Sequence, residues 1–271
     1  MKTDIWNDLS FQNYKSRIKE KCLKLFFSKV CVFCGKMIPV EKNAAERFYT
    51  EDMKICRHCL ANLPLRLPFD QVLENSLDYF SDEMPFHMYA PFFYKQQMIT
   101  LLHQMKFYDG MFLALPFGFF MAMIVCSYKL EADVILPIPL SRKRQRERGY
   151  NQALLLANEM GAWLKKPVIS DCLLRIRETK RQSEIEDPII RKMNVDHAFA
   201  VSEFWDVEGL RVFVVDDVFT TGATMLSAAQ TLRKAGALDV TGIAVASGRT
   251  GQETGIISEP DAYGAHVFEP S

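Results

Sequence analysis

The segment Val212-Phe213-Val214-Val215-Asp216-Asp217-Val218-Phe219-Thr220-Thr221-Gly222-Ala223-Thr224 constrains the fold more than any other part of the chain. Four consecutive apolar residues rich in valine suit a strand buried on both faces of a parallel sheet. That puts the residues from Asp216 onward at the strand's carboxyl end, where open α/β sheets bind ligands. Gly222 permits a tight turn, and Met225, Leu226, Ala229 and Leu232 fall on one side of a helix expected over 223–235. The order is strand, acidic pair, hydroxyl-rich turn, helix.

The chemistry follows from the residue types. Backbone N–H groups from Val218, Phe219, Thr220, Thr221, Gly222 and Ala223, the hydroxyls of Thr220, Thr221 and Thr224, and the positive helix end can hold a dianionic phosphate without a side-chain cation. The helix dipole alone supplies about 0.3–1 kcal/mol at exposed sites, so directed hydrogen bonds must provide most of the grip. Asp216 and Asp217 would repel a phosphate. They suit sugar hydroxyls, or a magnesium ion shared with substrate oxygens. The segment reads as a ribose-phosphate site, against the plainer alternative of a strand-turn-helix junction with a solvated acid pair. The chain contains neither a G-x-x-x-x-G-K-[ST] loop nor G-x-G-x-x-G, which disfavours two other nucleotide sites.

A chain of 271 residues, 49% hydrophobic and 24% charged, can bury a full α/β core and one small extra module. Its 33 basic and 33 acidic residues cancel, so attraction to nucleic acid or anionic lipid must come from a local patch. Met1 to Asp8 lacks the basic and apolar regions of a secretory signal, so the expectation is a cytoplasmic protein with reduced cysteines. Met111 to Cys126 runs 16 residues without a charge. A spanning helix needs about 20 apolar residues, and Pro116 and Gly118 interrupt this one. A buried core helix is therefore expected rather than a membrane span.

Cys31-x-x-Cys34 and Cys56-x-x-Cys59 are separated by 21 residues, close to the two-knuckle spacing of a zinc ribbon. Four thiolates complete a tetrahedral shell with no open position, so zinc here is expected to be structural and to supply much of the module's folding energy. A redox pair and two disulfides are the competing readings. His58, inside the second knuckle, is a substitute ligand or a bystander. Cys22, Cys126 and Cys172 have no matching spacing and read as packing residues.

The chain divides into an N-terminal helical extension at 1–28, a four-cysteine module at 29–66, an α/β domain at 67–250 with a proline-containing linker at its start, and a tail at 251–271. Within the α/β domain helices are expected at 96–106, 111–128, 150–165, 188–195 and 223–235, and strands at 133–138, 168–174, 211–216 and 240–246. This alternation argues for a parallel sheet flanked by helices. Five basic residues fall between Arg142 and Arg148, directly after the strand ending in Pro137 and Pro139. They read as a charge-rich loop, either solvated or stabilising an anion at the same sheet edge.

The apolar run, acidic pair and Thr-Thr-Gly-x-Thr turn at 212–224 resemble the phosphoribosyl pyrophosphate signature of the type I phosphoribosyltransferase fold. The proline-rich strand end, Arg148-Gly149-Tyr150-Asn151-Gln152, the Thr179–Ser183 string with Arg191, Asn194, Ala198 and Phe199, and Leu102–Phe107 with Asp109-Gly110 resemble the ComF-type competence family. The resemblance covers about residues 30–249. It implies a four-cysteine zinc module joined to a phosphoribosyltransferase-like domain, in a cytoplasmic accessory protein of DNA uptake.

On that resemblance the ligand is phosphoribosyl pyrophosphate, and the reaction to be tested is substitution at its anomeric carbon. Residues Val218 to Thr224 would hold the 5′-phosphate. Asp216 and Asp217 would take the ribose hydroxyls with magnesium, and Arg142 to Arg148 the pyrophosphate. Arg175 to Ser183 would be a lid bringing Arg177, Lys180 and Arg181 to the substrate, or a plain surface loop. The rival reading is a non-catalytic adaptor for single-stranded DNA, using the zinc module, the 142–148 cluster and stacking from Phe33, Phe48 or Tyr150. Competence proteins are the expected partners.

Overall fold

Val212 to Val215 are each 1% exposed or less, and they form the centre of the sheet as the apolar run predicts. The structure is a computed structural model that describes residues 30–39, 48–66, 73–74, 86–107, 110–176 and 198–248. Its strands are β1 (Leu73–Glu74), β2 (His87–Tyr89), β3 (Phe92–Phe93), β4 (Val134–Pro137), β5 (Leu173–Arg175), β6 (Phe199–Val201), β7 (Arg211–Phe219) and β8 (Asp239–Ser247). Its α-helices are α1 (Arg57–Ala61), α2 (Gln96–Phe107), α3 (Ala114–Ser127), α4 (Arg142–Arg148), α5 (Gln152–Leu164) and α6 (Ala223–Lys234).

The main sheet runs β1-β2-β8-β7-β4, and β3 also pairs with β8. Every pairing in it is parallel except β1 with β2. Side chains alternate along β7, so Phe213 and Val215 join one apolar cluster with α3 and α5, while Val212 and Val214 join another with α6. This is a parallel sheet flanked by helices on both faces.

The apolar segment at 111–126 packs into the core. Residues Gly110–Leu113 form a 3-10 turn that leads into α3, and nine of the fourteen residues of α3 are buried. Gly110–Ser127 is long and apolar enough to cross a membrane by length and composition, yet 61% of it is buried inside the protein. Pro116 falls in the first turn, where its missing N–H has no helical partner to lose. Gly118 lets α3 approach α5: a Cβ there would overlap Glu159 Cβ and lie 2.9 Å from the Met160 nitrogen.

Several expectations need correction. The strand expected at 168–174 does not extend the sheet: Val168 makes only an isolated bridge to Ile135, and β5 pairs antiparallel with β6 in a separate two-stranded sheet. The exposed Ser170 and Asp171 break the apolar run between them. Part of the expected linker is structural, because Phe86, Met88 and Phe92 bury almost completely and carry β2 and β3 onto the edge of β8. The strand expected to stop at 216 continues to Phe219, since Val218 and Phe219 pair with Ala246 and Ser247. The basic run is a helix, capped by Ser141 Oγ accepting from the Arg144 N–H at 3.3 Å and ended by Gly149 at φ 77°. Cys126 is exposed, whereas Cys172 is buried as expected. The helical pattern of 1–28 with Cys22, the segment with Arg177, Lys180 and Arg181, the helix expected at 188–195, and the tail lie outside the described residues.

Candidate functional site

Strands β4 and β7 are parallel neighbours with Pro137 opposite Val215, so the segments that follow them leave the sheet at one edge. The Ile138 N–H donates to Val215 O at 2.8 Å, which starts the 138–141 segment beside the acid pair. Asp216 is half-buried and Asp217 is buried. Each uses one oxygen locally: Asp216 Oδ1 accepts from the Asp217 N–H, and Asp217 Oδ1 from the Val218 N–H, both at 2.8 Å. The anion cradle placed at 218–224 is therefore shorter than expected. The Val218 amide is engaged by Asp217, and Phe219 is paired in the sheet with a buried side chain.

What remains is the turn Thr220-Thr221-Gly222 and the start of α6. Gly222 adopts φ 78° as the N-cap of α6 and supplies no side-chain cap. The Ala223 N–H meets Thr221 Oγ1 at 3.4 Å. By helix geometry the amides of Thr224 and Met225 have no partner within α6, which gives the turn its anion-seeking character.

A residue the sequence reading left without a role completes the acidic half. Lys106 Nζ, from the last turn of α2, lies 2.7 Å from Asp217 Oδ2, with side chains only 22% and 12% exposed. A signal for it existed. Lys106 follows Leu102 by four residues and Met98 by eight, so it falls on the face that buries Met98, Leu102 and Met105, where a lysine is out of place unless paired. Burial pushes the Asp216 carboxyl up to about 7, with the neighbouring Asp217 charge adding to the shift. Burial works to lower the Lys106 pKa, but the charges of Asp217 and Asp216 outweigh it and the ammonium is held charged.

The Asp216 shift has a consequence for stability. Folded protein carries a proton on Asp216 that the unfolded chain has released, so this group should make stability fall as pH rises from 3.8 towards about 7. Thermal unfolding across that window checks it: Asp216→Asn should show a flatter pH slope, and an unchanged slope would remove burial of Asp216 as the cause.

The last turn of α2 also carries the basic half. The Tyr150 hydroxyl donates to Met105 O, and the Arg148 guanidinium lies 5.2 Å from the Phe107 ring centroid. Arg148 also donates to Gln152 Oε1 at 3.0 Å, and Asn151 Nδ2 donates to Ile138 O at 3.0 Å. Asp216, Asp217, Lys106 and Arg148 are thus gathered around one helix end. Arg142 stands exposed at the other end of α4, about 9 Å further along at 1.5 Å per residue. Lys180 lies outside the described residues.

The aromatic residues proposed for base stacking are committed elsewhere. Phe33 is buried against Phe117, with centroids 5.7 Å apart. Phe48 packs on Tyr49, Phe119 and Trp163, and Tyr150 is tied to α2 by its hydroxyl.

The Sγ atoms of Cys31, Cys34, Cys56 and Cys59 lie within 4.8 Å of one another. Cys34 Sγ and Cys56 Sγ are 3.8 Å apart, the edge expected of a tetrahedron with Zn–S of about 2.3 Å. The Cys56 N–H points at Cys31 Sγ (3.3 Å), the Cys59 N–H at Cys56 Sγ (3.4 Å), and Gln97 Nε2 lies 3.8 Å from Cys59 Sγ. These donors suit thiolates, and the cluster is compatible with structural zinc. Burial raises the thiols of Cys31 and Cys59, a shift that a divalent cation would reverse. His58 is exposed and outside the cluster.

Residues 151–258 match the phosphoribosyl transferase domain. Competence protein F of Haemophilus influenzae is 37% identical over 110 residues, 40% of this chain and 47% of that protein. The DNA utilization protein YhgH of Salmonella typhi is 32% identical over 152 residues, 54% of this chain and 66% of that protein. On these matches the chain is similar to ComF-type competence and DNA utilization proteins. The chain spans about half the length of the first relative and just under two thirds of the second. A solved glutamine phosphoribosylpyrophosphate amidotransferase from B. subtilis is 24% identical, covering 50% of this chain and 27% of that one, with a TM-score of 0.34.

Proposed function

We propose that this chain binds phosphoribosyl pyrophosphate with magnesium in the cytoplasm and serves DNA uptake, transferring the phosphoribosyl group to an acceptor. The observation that carries the reading is the pair Asp216-Asp217 near the carboxyl end of β7, separated only by Val218 and Phe219 from a turn that reaches a helix N-terminus through Gly222 in the left-handed region. The 5′-phosphate fits that turn, held by amides of Thr224 and Met225 and the threonine hydroxyls. The carboxylates then face the ribose hydroxyls.

Magnesium takes oxygen ligands, and the hard carboxylates of Asp216 and Asp217 fit it. Bound there, it would neutralise charge developing on the departing pyrophosphate. The chain's own cations serve the same end. Arg148 is held at the α2 end by Phe107 and Gln152 and offers a planar donor to the pyrophosphate. Arg142 and Lys143 are exposed on α4. The C1–pyrophosphate bond breaks with its electron pair leaving on the pyrophosphate oxygen, and the acceptor's lone pair forms the new bond to C1.

A second reading rests on the same helix. Arg142, Lys143 and Arg146 are exposed on α4 and suit a nucleic-acid backbone, consistent with the DNA-related names of the relatives. Calorimetry of the full chain with phosphoribosyl pyrophosphate and magnesium tests the first reading. Saturable, magnesium-dependent heat is expected, and none would reject it. Single-stranded DNA binding that weakens with salt and is lost on Arg142→Ala/Lys143→Ala would favour the second.

A further inference from the structure

The acid pair is already neutralised in part by a residue of the chain. Lys106 sits 2.7 Å from Asp217 Oδ2, on the oxygen not used by the Val218 amide. Asp217 therefore has both oxygens engaged before any ligand arrives. Lys106 comes from a different element, α2, whose end is pinned by the Tyr150 hydroxyl on Met105 O and by Arg148 over Phe107. The ammonium is thus presented by an anchored helix end, not by a free surface side chain.

We propose that Lys106 is a built-in cation that keeps divalent metal off Asp217 until a phosphate-bearing ligand arrives, so that metal and ligand enter together. A metal ion arriving alone must take an oxygen from a shielded ion pair and leave the ammonium without an anion, which is strongly unfavourable. A ligand carrying phosphate changes that balance. An ammonium has three donors, and ligand oxygens can take over its charge when the metal takes the carboxylate. Lys106 thereby couples two binding events. Coupling of this kind typically spans about 5–150-fold in affinity. The inference rests on the proposed phosphoribosyl site for the identity of the ligand, but its central element, competition between lysine and metal, stands apart from it.

The test uses the full chain with zinc already bound, and Mn2+ as the probe, followed by calorimetry and paramagnetic resonance. Without any sugar phosphate, Lys106→Met should bind Mn2+ at least about tenfold more tightly than the unchanged chain, and Lys106→Arg should bind as weakly as the unchanged chain. Adding Asp217→Asn to Lys106→Met should abolish the gain, which assigns the metal to the pair. Circular dichroism confirms that the variants are folded, and Lys106→Gln is the substitute if Lys106→Met is not. Phosphoribosyl pyrophosphate should tighten Mn2+ binding in the unchanged chain by a larger factor than in Lys106→Met. Mn2+ affinity unchanged by loss of the charge, or no Mn2+ binding in any folded variant, overturns the inference. A gain in Mn2+ affinity with no response to phosphoribosyl pyrophosphate would uphold the lysine–metal competition and reject the phosphoribosyl reading instead.

Discussion

Asp217→Asn should weaken magnesium-dependent binding of phosphoribosyl pyrophosphate by about 100-fold or more, the scale of one well-placed charged ligand contact at roughly 1.4 kcal/mol per factor of ten. The same change should lower stability by about 1–3 kcal/mol, because it leaves Lys106 mostly buried without its anion. The two effects are separable. Combining Asp217→Asn with Lys106→Met removes both members of the pair and should restore most of the stability, while binding stays lost. Calorimetry and thermal unfolding of the four proteins read both quantities. Retained binding in Asp217→Asn would exclude the carboxylate from the site, and a double variant as unstable as the single would show that the ion pair is not what Asp217 contributes to the fold.

If the four cysteines hold zinc, removing it should unfold more than the module around them. Cys31, Cys56 and Cys59 belong to the same apolar cluster as Phe117, Phe120 and Ile243 of the α/β domain. The connection continues through backbone: Arg66 N–H donates to Pro91 O at 3.0 Å, and Phe93 N–H to Pro64 O at 2.8 Å, beside the edge of β8. Cys56→Ser with Cys59→Ser should therefore abolish a stoichiometry of about one zinc per chain and lower stability by about 5 kcal/mol or more, a modest share of the metal's binding energy in small zinc modules. Metal analysis and unfolding by denaturant check this. A full chain that carries no zinc and still resists unfolding as well as the metal-loaded protein would reject structural zinc and leave the redox-pair and disulfide readings.

The legibility of the chain differed by element. The β7 centre, α2, α5, α6 and β8 were readable because each carries its own period: a run of valines for a strand buried on both faces, a repeating apolar face for helices. The cysteine pairs were readable because metal geometry imposes a spacing on sequence. The basic run at 142–148 was harder. Charge alone does not distinguish loop from helix, and the deciding features were a Ser141 cap and a Gly149 terminator with seven residues between them. Strands β2 and β3 were hidden because two or three residues have too little length to show alternation, and only their partner β8 makes them strands.

The site divides along the same line. Asp216, Asp217, the threonines and Gly222 are contiguous, so local sequence determines that acid pair, turn and helix start must lie at one strand end. Lys106 stands 111 positions before Asp217, and nothing local to either residue announces the other. Only the packing of α2 against the sheet edge brings ammonium and carboxylate to 2.7 Å. The same packing sets Arg148 over Phe107, and burial in the folded protein raises the Asp216 carboxyl. Chain connectivity fixes which groups a strand end offers, whereas the charge each group bears depends on neighbours and burial, which exist only after the chain has folded.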